Sequence, residues 1–486
     1  AARAAVKAAG GTILKENTQV GVATVKSSNP DFIAAAGRQS ALVGAARNRP
    51  IGKLPSGGGT PREDVERLTA AERAATKRSA SKSGHAPGQE PLADKQWDMR
   101  MIDATPSGSY RVNQGRRGVM VGIMDTGVDG SHPDIRPNFN RRLSRNFTTD
   151  IPLVDGPCED EPDQSCNDPA DVDENGHGTH VAGLVAAALN GLGTAGVAPK
   201  ATLVNVRAGQ DSGFFFLQPT VDAMVYAGLV GIDVINMSFF TDPWLYNCLD
   251  NPADSPEEQL EQLTVRVATQ RAINFARGHG VTPVAALGNE HTDLGNPTVD
   301  EISPDFPPGS ERTRTVNNSC ITVPTETRGV ISISALGPSG YKADYSNYGI
   351  EQTDFSAPGG WFRDFFGTPQ NRQPENLNLS PMPRALAEEA LQDPANVPFI
   401  VRDCKGSTCA FYQYLQGTSM ASPHAAGVAA LVVSAHGKHD GQHGGLTLSP
   451  RTVERILTKT AKQTPCPSPP NFAYPDDRDP SFDGVC

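Results

Sequence analysis

The residues best suited to chemistry lie in four short stretches spread along the chain. Gly417-Thr418-Ser419-Met420-Ala421-Ser422-Pro423 sets a serine among small residues, just ahead of the apolar run His424 to Val433. A helix starting there offers unpaired N–H groups and partial positive charge where an oxyanion would form. Pro423 is compatible with a first helical turn, and Gly417 lets the backbone turn tightly and a substrate come close. Taken by itself this stretch reads equally well as a capped helix. Met124-Asp125-Thr126-Gly127 places a carboxylate after an apolar strand, held rigidly and partly desolvated, which suits it to orient an imidazole. Paired-aspartate chemistry would need a second Asp-Thr-Gly, which is absent. In Gly176-His177-Gly178-Thr179-His180 the first histidine stands at a helix start with glycine on both sides. A metal between His177 and His180 would need further ligands at similar spacing and the Glu of H-E-x-x-H, and neither is present. Asn289, after Leu287-Gly288, can donate N–H to a developing oxyanion without changing its own charge; in isolation it is an ordinary turn residue.

These stretches need a scaffold, and the pattern after Trp97 supplies one. Val119 to Met124, Ala201 to Val206, Asp233 to Phe239 and Val281 to Leu287 are short apolar runs, the mark of strands buried on both faces. Helical stretches lie between them, at Val181 to Leu189, Thr220 to Leu229 and Glu258 to Arg277. Such alternation predicts an α/β fold, a doubly wound, mostly parallel sheet with helices on both faces. Catalytic groups then belong at the carboxyl ends of the strands. Residues 1–56 read as a separate small α+β unit, with strands at Thr12 to Leu14 and Val20 to Val25 and a helix after Asp31. Residues 57–92 are rich in Gly, Ser, Lys, Arg and Glu and read as an exposed linker with a processing region, broken by one helical patch, Val65 to Ala75. Residues 93–486 form the main unit, with insertions at about 150–174, 241–262 and 361–416. The first carries ten acidic residues and no basic one, and the last is a 56-residue loop just before the serine. Loops of that size are usually functional or mobile.

Charge divides the chain in the same place. Residues 1–100 hold 16 Lys+Arg against 9 Asp+Glu, and the remainder 27 against 45, so a basic front faces an acidic body. The overall charge of −11 argues against a nucleic-acid partner. No apolar run reaches the ~18 residues needed to span a bilayer, and a monomer is expected. Eight cysteines, all after residue 150, favour disulfides and an oxidising compartment. The C-x-x-C knuckles of a zinc site are absent. Eight cysteines allow 105 pairings, which the sequence leaves open; neighbour pairing, one of them, would be 158–166, 248–320, 404–409 and 466–486. The chain begins at Ala1 and shows no signal peptide, so export is inferred from the cysteines.

The order Asp125, His177, Asn289, Ser419, with these flanking residues, resembles the subtilisin-like serine proteases over roughly residues 95–460. Residues 1–50 resemble the later part of their inhibitor-type prodomain. The resemblance implies a secreted serine endopeptidase made as a zymogen, acting on protein or peptide substrates and held by its own prodomain. Ser419 would be the nucleophile, His177 the general base and then acid, and Asp125 its orienting partner. Asn289 and the Ser419 N–H would form the oxyanion hole. Ser238, Phe239 and Phe240 would bind an extended peptide by strand pairing, with Ala285, Ala286, Leu287 and Gly288 on the opposite pocket wall. Phe240 stands where the family usually has Gly, which predicts a narrowed pocket, and Asp173 and Glu174 beside His177 suggest a preference for a basic substrate residue. No cofactor is required for the chemistry. Asp134 matches a carboxylate of the family's structural calcium site, although the adjoining loop, Leu189 to Thr194, is shortened. The alternatives are a catalytically idle binding module of the same fold, and a narrow processing protease or peptide ligase.

Overall fold

A computed structural model of the 486-residue chain describes residues 1–47, 50–53, 89–160, 164–239, 243–305, 309–465, 471–472, 474 and 484–485. The helical patch expected at Val65 to Ala75, Phe240 and the 466–486 cysteine pair lie outside the described residues. The front segment contains α1 (Ala2–Ala8), a hairpin of β1 (Gly11–Asn17) and β2 (Val22–Ser27), α2 (Phe32–Gly37) and β3 (Pro50–Lys53). After α3 (Trp97–Met101) come β4 (Met120–Met124), β5 (Arg145–Asn146), α4 (His177–Ala186), β6 (Thr202–Arg207), β7 (Phe214–Phe216) and α5 (Leu217–Val230). Then follow β8 (Val234–Met237), α6 (Pro256–Gly278), β9 (Thr282–Ala286), β10 (Val299–Asp300), β11 (Arg314–Thr315), β12 (Ile331–Leu336) and β13 (Phe355–Pro358).

The main sheet has seven strands in the order β13-β12-β9-β8-β4-β6-β5, and every pairing in it is parallel. The alternation of side chains along β4 shows why its strands read as unbroken apolar runs. Val121 and Ile123 join one core with Val181, Leu184 and Val185 of α4, whereas Met120 and Met124 join another with Val221 and Met224 of α5 and Ala272 and Ile273 of α6. Each strand is therefore covered on both faces. α6 begins two residues before the expected stretch because Ser255 and Glu258 close a reciprocal capping box.

The 361–416 segment is not a loop. It contains β14 (Asn378–Met382), α7 (Arg384–Ala390), β15 (Ile400–Lys405) and β16 (Thr408–Leu415), with an antiparallel sheet in the order β14-β16-β15. Leu377, Leu379, Phe399, Tyr412 and Tyr414 give it a core of its own with Leu92 and Leu192. The chain then enters α8 (Thr418–His436) and closes with α9 (Pro450–Thr460). Disulfides join Cys158 to Cys166, Cys248 to Cys320 and Cys404 to Cys409, the first three of the expected pairs.

The front segment packs on α5 and α6. Lys15 pairs with Asp222 at 2.6 Å, Arg47 with Glu257 at 3.3 Å and Glu261 at 3.7 Å, and Thr24 donates to Gln218. Val20 enters the core shared by those helices. β3 pairs antiparallel with β7.

Candidate active site

The sheet brings the sequence-distant residues to one edge. Met124 is in register with Met237, and Met237 with Ala285, so Asp125, Ser238 and the turn at Leu287-Gly288-Asn289 leave the carboxyl ends of three adjacent strands. α4 places His177 over the first of these. His177 Nδ1 lies 2.7 Å from Asp125 Oδ1, which also accepts from the Thr126 N–H at 2.8 Å. Both side chains are buried, and His177 Nε2 has no partner among the described residues. With Nδ1–H committed to the carboxylate, the imidazole keeps a lone pair at Nε2 for a proton.

The start of α4 is fixed by a residue whose role the sequence did not show. Asp173 Oδ1 accepts from the Gly176 N–H at 2.9 Å and the Thr126 hydroxyl at 3.1 Å, while Oδ2 accepts from the Thr179 N–H and hydroxyl. The expectation that Asp173 faces a basic substrate residue is thus corrected: it is buried and clamps the turn ahead of His177. Gly178 must lack a side chain, since a Cβ there would strike the Gly127 carbonyl. His180 Nε2 faces the Asn378 and Gln413 carbonyls at 3.1 and 3.0 Å, and burial lowers its pKa to about 3. It is a neutral donor that ties α4 to the 361–416 sheet.

At the other helix, Asn289 Oδ1 accepts from both the N–H and the hydroxyl of Thr418, at 2.9 and 2.8 Å. That fixes which end of the amide carries the hydrogens. Its Nδ2 has no partner among the described residues. Pro423 lacks the N–H that would serve the Ser419 carbonyl four residues earlier. Ser238 Oγ supplies it, donating at 2.8 Å, and is itself held by Asn236 and Ser422. Ser419 Oγ donates to the Ser238 carbonyl at 3.2 Å. The structure therefore forms an Asp125–His177 pair and an Asn289–Thr418–Ser419–Ser238 cluster.

The expected pocket residues divide. The Phe239 ring is fully buried and stacked on Phe215 at 4.0 Å, so it belongs to the core below the site and lines no cleft. Ala285 and Leu287 also point into packed cores, so only their backbone can meet a ligand. Ala286 is buried. Gly288 has a φ of 108° and faces Asn347, which excludes a side chain, and its N–H is held by Thr418.

Asp134 does not fit the calcium site expected of it. Its oxygens accept from Asn190 Nδ2 at 2.9 Å, the Thr194 N–H at 3.2 Å and the Tyr412 hydroxyl at 2.8 Å. Burial pushes its pKa up to about 7 against these donors. Neighbouring loop amides likewise face carboxylates, Gly191 and Leu192 on Glu90 and Gly193 on Asp403, and the Lys405 ammonium caps the Asn190 carbonyl at 2.6 Å. A cation needs converging oxygens; here N–H, O–H and ammonium donors converge instead. A separate cluster, Asp150, Asp168 and Asp211, could hold a cation, but its three carboxylates already surround the buried Arg207 guanidinium.

A model of the subtilase family matches residues 116–478. The chain belongs to the subtilase family. It is 29% identical over 350 residues to subtilisin DY of Bacillus licheniformis, covering 72% of this chain and 86% of that protein. To the nisin leader peptide-processing serine protease NisP of Lactococcus lactis subsp. lactis it is 28% identical over 348 residues, 71% of this chain and 44% of the relative. The chain thus spans less than half of that subtilase. The solved epidermin leader peptide processing serine protease from Staphylococcus aureus shares the fold, with a TM-score of 0.59 at 22% identity, over 93% of this chain and 94% of the other. Among the described residues no helix is long and apolar enough to cross a membrane.

Two outcomes are expected. Ser238→Ala leaves the Ser419 carbonyl buried without a donor, a loss of about 1–3 kcal/mol in stability measured by urea unfolding. In Asp134→Asn, the shift in Tm between calcium and a chelator should equal that of the parent, and Tyr412→Phe should lower Tm without recovery on adding calcium.

Proposed function

We propose that this subtilase is a secreted serine endopeptidase that works through Ser419, His177 and Asp125, with residues 1–56 as an intramolecular inhibitor. The observation that carries the reading is the orientation of the two buried polar groups: His177 Nε2 and Asn289 Nδ2 are left over because their opposite ends are fixed by Asp125 and Thr418. For the attack, the Ser419 hydroxyl must leave the Ser238 carbonyl and present its proton to Nε2. His177 accepts that proton as the oxygen attacks the scissile carbonyl, and the imidazolium formed is stabilised by Asp125. The oxyanion is met by Asn289 Nδ2 and the Ser419 N–H at the start of α8. The acyl-enzyme then forms as His177 returns the proton to the leaving amine, and water repeats the sequence.

The antiparallel β3–β7 pair supports the inhibitory part, because an extended peptide substrate would add to an edge strand in the same way. Processing in the 57–92 region would release it. A narrow processing activity is favoured over broad proteolysis by α7, whose Leu386, with Pro383 just before the helix, packs against Gly176 beside His177. Named relatives process leader peptides.

Ser419→Ala should abolish peptide hydrolysis, fluorophosphonate labelling and self-cleavage, a fall of ~4–6 powers of ten in turnover. Retained self-cleavage would remove Ser419 from the mechanism, and an unlabelled parent chain would support an idle binding module. Charge should assist the inhibitor: Lys15 and Arg47 face Asp222, Glu257 and Glu261. Raising salt from low to ~1 M should slow association of residues 1–91, added in trans to the processed enzyme, by roughly ten-fold. An unchanged association rate would leave shape alone as the cause.

A further inference from the structure

A second buried histidine–aspartate pair joins α3 to the helix that carries Ser419. His424 stands five residues beyond Ser419 on α8. Its Nδ1 is 2.7 Å from the Met420 carbonyl, and its Nε2 is 3.0 Å from Asp98 Oδ2 on α3. Both side chains are enclosed, with 1% and 0% of their surface exposed. Asp98 Oδ1 has no partner among the described residues.

The hydrogen-bond geometry fixes a proton count. The Met420 carbonyl can only accept, so Nδ1 carries a hydrogen. Nε2 faces a carboxyl oxygen at hydrogen-bond distance, which also requires a proton between them. If both were absent, two lone pairs would face one another in a dry interior. Among the described residues, His180 of α4, Tyr110, and Tyr414 of β16 are ionisable side chains close enough to interact with the pair. All three are neutral: burial lowers His180 to about 3 and holds both tyrosines above their ordinary range. A buried carboxylate needs a counter-charge, and among these groups His424 alone can provide it.

We infer that Asp98 and His424 form a buried carboxylate–imidazolium pair that positions the turn carrying Ser419. The imidazolium joins α3 to the Met420 carbonyl, and Met420 directly follows the residue whose N–H faces the oxyanion. The route of the chain supports this. Residues 90–97 are fastened to the body by successive hydrogen bonds: Glu90 to the amides of Gly191 and Leu192, the Leu92 N–H to Gly193, Gln96 to both backbone groups of Ala195, and Trp97 Nε1 to Leu377. Asp98 is the last point of this seam and the one that reaches the nucleophile's helix. Asp98 and His424 are positioning residues. Their role in turnover rests on the reading of Ser419 as nucleophile, but the charged pair does not.

The test uses the full chain with Ser419→Ala, so that it stays intact, labelled with ¹⁵N-histidine. The His424 resonances, identified by their loss in His424→Gln, should show both ring nitrogens protonated at neutral pH. Asp98→Asn should leave one of them unprotonated, accepting from the new amide. A single protonated nitrogen in the parent would overturn the ion pair, whether or not the Asp98 variant folds. In the active chain, Asp98→Asn should lower kcat on the order of ten- to a hundred-fold with KM nearly unchanged, as expected for a small misplacement of reacting groups, while fluorophosphonate still labels Ser419. Unchanged kcat would overturn the positioning role. Loss of labelling in the parent would instead reject Ser419 itself.

Discussion

A carboxylate sealed at the end of a strand, with one imidazole to answer it, constrains everything around it. Asp125 is inaccessible to solvent, and its charge is tolerable only if His177 and the Thr126 amide stay where they are. That requirement explains features that look unrelated. Gly178 is bare because α4 must press against the Gly127 carbonyl. Asp173 spends both oxygens on holding the turn before His177. His180 anchors the same helix to the 361–416 sheet from below.

The second half of the site obeys the same logic with neutral groups. Pro423 lies inside α8, past the first turn expected of it, and removes one intrahelical donor, which the Ser238 hydroxyl restores from the end of a neighbouring strand. The serine expected to bind substrate thus also completes the helix that carries Ser419. Thr418 does similar work on Asn289: by taking the amide oxygen, it decides which way the N–H groups face. In both cases a neighbouring side chain sets how a buried polar group is oriented.

What could be read from residue types alone follows from these constraints. Strands such as Val119 to Met124 are apolar on both faces because both faces are covered, so the central sheet was legible; the cysteine pairing was not, since eight cysteines allow 105 pairings, although three neighbour pairs coincide with the structure. The outer strands were not: Ile331–Leu336 alternates with serines, and Phe355–Pro358 is short and ends in proline. The 361–416 sheet was hidden for another reason. Thr408–Leu415 carries Tyr and Gln among its buried positions, and the Tyr412 hydroxyl finds its partner, Asp134, far away in sequence. The same contact displaced the expected calcium site, because a donor arriving from residue 412 cannot be foreseen at residue 134. Phe239 misled for lack of its partner, since only the fold brings Phe215 beneath it.

The connectivity of the parallel sheet has a consequence for the lifetime of the molecule. β4 lies between β6 and β8, roughly 80 and 110 residues further along, and β9 joins β12 across another long excursion. Such pairings demand closure of large chain segments before any reward, so a copy that has lost its fold regains it slowly. For molecules with the proposed peptide-cutting activity, an unfolded copy is itself a substrate, so each slow return is exposed to digestion. The strand order that assembles the site thereby also sets how long an unfolded copy stays exposed to its own kind.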